Sequence, residues 1–397
     1  MSDQVRAALA AVVEGRTLTR DEARLAMGAV MDGEATPAQL GAFLVALRMR
    51  GETVEELAGF ASAMRERVLR VEAPAGTIDT CGTGGDGRGT FNISTAAALV
   101  AAAGGVPVAK HGNRAITSAS GSADVLEALG VPTDLGPDEA AAALHEVGFA
   151  FLFAPGYSPA MRHAGPTRRE IGVRTAFNLL GPITNPAGAR RQLVGVTDPG
   201  AAKRLAEVLR ALGTERAMVV HGERLDELPL DGTGVAYDVS ADGVVRHEIT
   251  PESVGLPRAS TGALSGGTPA ENAARMEALF AGEGGPIRDA VLLNAGAAFV
   301  VAGRAEGLRA GAELAAAVID GGAAAALLAR LRDQRRQRME GTAERGPATG
   351  APATGAGAVS AVGAAGARSG GTRPGGGRAG GPPGTTEPGP TPTGGAR

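Results

Sequence analysis

A stretch of glycine and polar residues over residues 79–95, DTCGTGGDGRGTFNIST, has the composition of an anion-binding loop. It begins in a predicted strand and runs into an alanine-rich predicted helix. Because glycine has no Cβ, backbone N–H groups of such a loop can approach a phosphate closely, and Asn92, Ser94 and Thr95 on the first helical turn add oriented donors. A tight turn with an ordinary helix cap is the alternative, but a turn needs only about one or two glycines. The pattern therefore favours a phosphate site.

The same loop contains the spacing G-x-G-x-x-G at Gly82, Gly84 and Gly87, which alone is a weak indication of a dinucleotide site. A nicotinamide site expects an acidic residue at the end of the second strand, about 20 residues farther on, to bind the ribose hydroxyls. Here the second strand is predicted to end in Lys110. A cation at this position disfavours a dinucleotide and favours a ligand with more phosphate.

A second polar cluster follows at residues 110–124, KHGNRAITSASGSAD. It supplies two cations, an imidazole, an amide and several hydroxyls, which match the oxygens of a phosphate and a sugar. A solvated Lys–Arg pair beside a serine-rich loop is the alternative. Lys110 is unusual because the chain has only one other lysine, Lys203, which lies in a predicted amphipathic helix. A lone histidine is more often structural than catalytic, so His111 is assigned proximity only.

A third cluster, HGERLDE at residues 221–227, follows another predicted strand. Its adjacent carboxylates, Asp226 and Glu227, offer oxygens to Mg²⁺, which is usually held by one or two carboxylates together with substrate phosphate and water. Acidic pairs on loops are commonly just solvated. The metal interpretation therefore depends on the two phosphate-like loops.

The elements that must position these clusters are predicted from caps and periodicity. Thr19, Thr36 and Thr53 each precede a Glu or Gln by three residues, which predicts helices over the first seventy residues. From residue 76, short β-like runs alternate with helical stretches, a pattern typical of a mainly parallel sheet covered by helices. Ligands bind beyond the carboxyl ends of such strands, where all three clusters lie. The predicted strands cover residues 77–80, 106–110, 149–153, 192–196 and 217–220, followed by a hairpin near Asp242 and a helix from Thr268.

Composition limits the classes of partner. The 397 residues carry a formal net charge of −3, which gives no general attraction to nucleic acid or anionic membranes. The longest uncharged, alanine-rich stretch, residues 96–105, is too short to span a bilayer. The single cysteine, Cys81, excludes an internal disulfide. We expect a cytoplasmic protein that binds neither nucleic acid nor membrane. Residues 341–397 are mainly Gly, Pro, Ala, Thr and Arg and are predicted to form a disordered tail.

Several motifs resemble, in order and spacing, those of the anthranilate phosphoribosyltransferase family, over roughly residues 5–331. Co-linear motifs are together far more specific than any one of them. The matching strings are CGTGGDG from Cys81, NIST from Asn92, KHGNR from Lys110, GSADVLEALG from Gly121, RTAFNLLGP from Arg174 and LDE from Leu225.

This resemblance implies a function: transfer of the phosphoribosyl group of phosphoribosyl pyrophosphate (PRPP) to the amine of anthranilate in tryptophan biosynthesis, with Mg²⁺ as cofactor. It also implies site residues by position. Those matching the family's metal ligands are Ser94, Asp226 and Glu227. Those matching its anthranilate contacts are Gly82, Asn113 and Arg168. Those matching its PRPP contacts are Gly82, Gly85, Asp86, Thr90, Asn92, Ile93, Ser94, Thr95, Lys110, His111, Gly112, Asn113, Arg114, Ser118 and Ser122.

The family fold is similar to that of pyrimidine nucleoside phosphorylases. It implies an α/β protein in which a small all-helical domain is hinged to a larger α/β domain with a mainly parallel central sheet flanked by helices, the active site lying between them. The implied small domain is discontinuous, residues 1–73 plus about 166–187, and the larger one is 74–165 plus 188–335. Homodimers are usual in the family. Thr167 and Arg224 depart from the usual apolar and small residues, without removing an implied ligand.

The implied chemistry requires no side chain as general acid or base, and none is assigned. The amine of anthranilate is conjugated with its ring and needs little deprotonation, so departure of pyrophosphate is the costly event, helped by electrostatics and positioning. Two alternatives stay open: a nucleoside phosphorylase of the same architecture, and a nucleic-acid-binding relative without catalysis. The intact acidic pair and the lack of basic excess count against the second.

Overall fold

The computed structural model describes residues 2–85, 87–115, 119–223 and 225–345, with side chains up to residue 340. Its first elements are four helices. They are α1 (Asp3–Val13), α2 (Arg20–Met31), α3 (Pro37–Arg50) and α4 (Val54–Arg65). The predicted caps are confirmed: Thr19, Thr36 and Thr53 each accept a hydrogen bond from the third helical N–H, and the Glu or Gln there bonds back. These boxes satisfy backbone donors that a helix start otherwise leaves unpaired.

A seven-stranded sheet follows. Its strands are β1 (Ile78–Gly82), β2 (Val108–Gly112), β3 (Phe149–Phe153), β4 (Arg191–Gly195), β5 (Arg216–His221), β6 (Gly234–Ser240) and β7 (Gly243–Ile249), in the spatial order β3-β2-β1-β4-β5-β6-β7. The first five are parallel, and β6 and β7 extend the sheet as the predicted antiparallel hairpin. The mainly parallel sheet is therefore confirmed, with strand ends within two residues of those predicted.

Helices cover both faces of the sheet. They are α5 (Ile93–Ala103), α6 (Ser122–Ala128), α7 (Pro137–Glu146), α8 (Ala154–Tyr157), α9 (Gly165–Ile171), α10 (Phe177–Leu180), α11 (Pro199–Ala211), α12 (Pro269–Phe280), α13 (Pro286–Val301), α14 (Leu308–Asp320) and α15 (Ala323–Arg345). Alternate strand residues enter different cores: Leu193 packs with α5 and α13, whereas Val194 packs with α11 and the N-terminal helices. Burial on both faces accounts for the nearly continuous apolar strands.

Residues 164–183 return to the N-terminal helices: α9 contacts α3, and α10 contacts α4. At the other end, α15 continues through Arg345, so the first five residues assigned to the tail are helical. Residues 346–397, the remainder of that predicted tail, lie outside the described residues. Among the residues described, no single helix is long and apolar enough to cross a membrane, and Leu308–Asp320 with Ala323–Glu340 meets that test only as a pair bent by 61°.

Helices α13 and α14 approach so closely that glycine is required at their contact. A Cβ at Gly311 would lie 2.4 Å from the carbonyl oxygen of Gly296. Alanine normally stabilises a helix interior by about 1 kcal/mol over glycine. We predict that Gly311→Ala instead destabilises the protein by about 1–3 kcal/mol, because the helices must separate. Gly41→Ala on α3, whose Cβ would meet only Thr167 at 3.7 Å, is the matched control and should be neutral or stabilising. Urea unfolding of both variants measures the difference, and equal effects would contradict the prediction.

Candidate active site

The three polar clusters meet near the carboxyl ends of β1, β2, β4 and β5. The direction in which successive strands are added to the sheet changes at β1. Strands β2 and β3 lie on one side of β1, and β4 and β5 lie on the other. Such a switch point opens a crevice beyond the strand ends, where ligands bind in open α/β sheets. The glycine loop leaves β1 there, and its Thr83 N–H donates to the carbonyl of Gly195 at the end of β4 (2.9 Å).

Asp226 packs directly against the glycine loop. Its Oδ2 accepts a hydrogen bond from the N–H of Gly84 (2.8 Å). A Cβ at Gly82 would lie 2.3 Å from this oxygen, and one at Gly195 would lie 1.6 Å from the carbonyl oxygen of Asp226. Only glycine fits at either position. The acidic segment after β5 is thus held in contact with the loop after β1.

Glu227 connects this segment to the start of α5. Its Oε1 accepts a hydrogen bond from the N–H of Ser94 (3.0 Å), in the first turn of that helix. Burial and the neighbouring Asp226 carboxylate raise the pKa of Glu227 to about 8, against the opposing effect of Lys110 and Ser94. The three residues that match the family's metal ligands therefore lie together.

Lys110 lies beneath the acidic pair. Its side chain is enclosed, at 2% exposure, and its Nζ donates to the carbonyl of Thr80 (2.6 Å). Burial lowers the pKa of Lys110, whereas Asp79 and the acidic pair raise it. Asp79 is also buried, and its Oδ1 accepts from the N–H of His111 (3.2 Å). Burial raises the pKa of Asp79 to about 6. The alternative of a solvated Lys–Arg pair is therefore wrong for Lys110.

The side chain of Asn92 does not point along the start of α5 as a free donor, because it is hydrogen-bonded to neighbouring segments. It is the N-cap residue of α5 but makes no side-chain cap. Its amide instead donates to the carbonyl of Ser120 (3.1 Å), and its Oδ1 accepts from Ser120 Oγ (3.2 Å) and from Asn272 Nδ2 (2.9 Å). Thr95, also expected as a donor, is buried. The backbone N–H groups of Ser94 and Thr95 also donate within the chain, to Glu227 (3.0 Å) and to the carbonyl of Asn92 (3.1 Å).

The loop after β2 brings Asn113 and Ser122 together, since Ser122 Oγ donates to the carbonyl of Asn113 (3.2 Å). Arg114 is exposed and bonds the carboxylates of Asp124 (3.1 Å) and Glu127 (2.8 Å) on α6. Two of the sequence-predicted PRPP contacts, Asp86 and Ser118, and the departure Arg224 lie outside the described residues. That each of these residues contacts a ligand stays a prediction.

Arg168 lies on α9, which contacts the N-terminal helix α3. Its guanidinium carbon is 4.8 Å from the centroid of the Phe177 ring, and burial lowers its pKa. In the described part of the chain it forms no ion pair. The preceding Thr167 is buried and faces α3 near Gly41, which places this departure in the packing between helices.

Sequence reasoning missed three side chains that hold the site together. Asn294 of α13 is fully buried and pairs with both backbone groups of Leu228, next to Glu227 (3.0 and 3.2 Å). Asn272 supports Asn92, and Arg174 contacts the glycine loop. A single asparagine inside an apolar helix, such as Asn294 in LLNAG, was a signal that could have been used, because buried polar groups need partners.

The fold and the site correspond to a known class. Residues 6–68 match the helical bundle domain of the glycosyl transferase family, and residues 75–325 match its α/β domain. The helical bundle joined to an α/β domain is thereby confirmed. The chain is a member of this glycosyl transferase family.

Individual relatives narrow the class. The chain is 55% identical to anthranilate phosphoribosyltransferase of Caulobacter vibrioides, over 83% of this chain and 97% of that protein. It is 51% identical to the Azorhizobium caulinodans enzyme, over 83% and 96%. The crystal structure of the Thermus thermophilus enzyme has a TM-score of 0.79 at 49% identity, covering 83% and 99%. The chain belongs to the anthranilate phosphoribosyltransferase family, as its motifs predicted.

A more distant solved structure, the Saccharomyces cerevisiae anthranilate phosphoribosyltransferase in complex with PRPP and Mg, shares the fold at a TM-score of 0.78. Its identity to this chain is 24%, over 85% of this chain and 99% of that one. The fold is therefore retained where most of the sequence has changed.

The buried imidazole of His111 generates a pH prediction. Burial lowers the pKa of His111 to about 4 from 6.5. Its contribution to stability is complete above pH 6.5 and is lost as the pH falls toward 4, because the unfolded chain takes up a proton that the native site excludes. We predict that the parent loses up to about 3 kcal/mol more than His111→Gln between pH 7 and 4. Urea unfolding across this range measures the loss. The exposed His145→Gln is the control, and parallel curves for parent and His111→Gln would contradict the prediction.

Proposed function

We propose that the protein transfers the 5-phosphoribosyl group from PRPP to the amine of anthranilate, giving N-(5-phosphoribosyl)anthranilate and pyrophosphate, in tryptophan biosynthesis. One observation carries the proposal: the glycine loop, the start of α5 and the acidic pair converge at the switch point of the sheet. Backbone donors and carboxylates around one crevice suit a ligand rich in phosphate that binds with a cation. The family of the chain supports the choice of substrates.

The residues at the acidic pair fit Mg²⁺. Asp226 and Glu227 are hard oxygen donors next to Ser94, and burial opposes ionisation of Glu227, a cost that a nearby cation would offset. Among the described residues, no group of three or more His, Cys, Asp or Glu side chains gathers around one point. Two carboxylates with phosphate oxygens and water are the usual set for Mg²⁺, whereas a site made only of protein would need more. When bound, the ion would neutralise charge on the leaving pyrophosphate.

The chain's own residues bind and orient the substrates. The glycine loop and the start of α5 line the phosphate site, and the Arg168 guanidinium holds the anthranilate carboxylate. The bond from the anomeric carbon to pyrophosphate breaks as the amine nitrogen forms its bond to that carbon, and the amine proton leaves to solvent or pyrophosphate. Positioning and charge, rather than a side-chain base, supply the catalysis.

We retain three broader predictions as proposals. The helical domain comprises residues 1–73 and about 166–187 and the α/β domain 74–165 and 188–335, a division supported by the contacts of α9 and α10 with the N-terminal helices. The protein acts as a homodimer, as is usual in its family, and in the cytoplasm, in line with its single buried cysteine.

Turnover is the direct test of the function. Anthranilate fluorescence should change only when PRPP and Mg²⁺ are both present, and thymidine with inorganic phosphate should give no reaction. Turnover of the nucleoside in place of anthranilate would assign the protein to the phosphorylases of the same architecture. Tight, salt-sensitive binding of DNA on a filter, without turnover, would instead support the nucleic-acid-binding alternative.

Arg168 should govern anthranilate affinity. We predict that Arg168→Ala raises KM for anthranilate by at least about tenfold and KM for PRPP much less, since removing one partner of a desolvated charged pair costs about 2–5 kcal/mol. The neighbouring exposed Arg169→Ala is the matched control. Steady-state kinetics with each substrate varied in turn provides both constants, and equal increases would make Arg168 a structural residue.

The acidic pair should link cation binding to PRPP binding. In the double variant Asp226→Asn, Glu227→Gln, shape is kept but charge is lost. Calorimetry should find that Mg²⁺ strengthens PRPP binding to the parent, and that the double variant loses most of this enhancement, about tenfold or more, at an unchanged melting temperature without ligands. The control is Glu223→Gln, an exposed carboxylate of the same loop. The same Mg²⁺ dependence in parent and double variant would show that the pair binds no metal.

A further inference from the structure

Arg174 reaches the glycine loop from outside the sheet. It lies between α9 and α10, and its Nη1 donates to the carbonyl of Gly84 (2.8 Å) and its Nη2 to that of Thr83 (3.3 Å). The side chain is half-buried, and in the described part of the chain it makes no ion pair. Its charge is therefore directed at two loop carbonyls rather than at a carboxylate.

Two glycines of the loop beside this guanidinium have a left-handed backbone conformation that favours glycine. A Cβ at Gly85 would lie 2.1 Å from Arg174 Nη1, and Gly84 and Gly85 have φ of +61° and +77°. Gly84 is held at both of its backbone groups, its N–H by Asp226 and its carbonyl by Arg174. Glycine loses more conformational entropy on ordering than other residues do. Hydrogen bonds that hold the loop before a ligand binds therefore reduce the entropic cost of binding most in a glycine-rich loop.

Arg174 belongs to the segment that also carries Arg168. The two arginines are six residues apart. Phe177, over which Arg168 lies, is buried in the same core as the N-terminal helices. Helix α10, which contains Phe177, contacts α4. The guanidinium of Arg174 thus connects the loop after β1 to the helical segment opposite it.

We propose that Arg174 is a positioning residue that holds the glycine loop in its anion-binding conformation before PRPP arrives. This inference rests on the proposed function for its kinetic part only. The guanidinium fixes the carbonyls of Thr83 and Gly84 while Asp226 fixes the N–H of Gly84, so this part of the loop is already ordered when PRPP binds, and binding bears less of the ordering cost. Without the guanidinium, the loop populates other conformations. The apparent affinity for PRPP then falls in proportion to the fraction of molecules whose loop is still in the binding conformation.

The test compares Arg174→Gln, Arg174→Lys and the exposed Arg169→Gln. We expect Arg174→Gln to raise KM for PRPP by about 10- to 100-fold, from the loss of two charge-assisted hydrogen bonds, and KM for anthranilate by less than about threefold at saturating PRPP. Arg174→Lys, which keeps the charge but can bond only one carbonyl well, should lie between parent and Gln. The control should match the parent.

Hydrogen exchange without any ligand gives the decisive second readout. Backbone amides of residues 82–85 should exchange faster in Arg174→Gln than in the parent, because the loop is less ordered before binding. Unchanged exchange with a raised KM for PRPP would make Arg174 a direct ligand and overturn the proposal. A fall in melting temperature with both KM values raised together would make it a structural residue. If the parent fails to turn over anthranilate, the proposed function fails, but the exchange experiment still decides the role of Arg174.

Discussion

The contact between Asp226 and two strand-end glycines is the constraint on which the site depends. The backbone of Asp226 occupies the space that a side chain at Gly195 would fill, and its carboxylate occupies the space beside Gly82. The segment after β5 can pack against the ends of β1 and β4 only because both of these strands end in glycine. This close approach lets the acidic pair and the glycine loop line the same crevice. Gly82 and Gly195 are therefore required for the packing of the segment that carries Asp226.

Bringing these groups together places several ionisable side chains out of water. Asp79 and Lys110 are almost fully buried below the crevice, and Glu227 is part-buried above them. A buried carboxylate is costly unless a cation or donors compensate for the lost solvation. Lys110 supplies part of that compensation for both Asp79 and Glu227. The ammonium is therefore part of the base of the site, and the glycine loop and the helix start line the crevice above it.

Much of this organisation could be predicted from local sequence. The capping boxes at Thr19, Thr36 and Thr53 need only residues three apart, and the parallel strands are short apolar runs, so both were found. The clusters were located because each follows a strand. Burial of Lys110 and the role of Arg174 could not be found in this way, since each depends on contacts between segments 30 or more residues apart that only the folded sheet brings together.

The enclosure of Lys110 has a consequence for the chemistry of the surface. The chain has two lysines, and the other, Lys203, is exposed on α11. An amine-reactive dye that modifies side chains of the folded protein is therefore directed to Lys203, while a reagent added to the unfolded chain meets both residues. The arginine-rich composition thus leaves one exposed lysine side chain for a fluorophore, on a helix that follows β4 rather than on the glycine loop. A second label at Lys110 would report loss of the buried layer beneath the crevice.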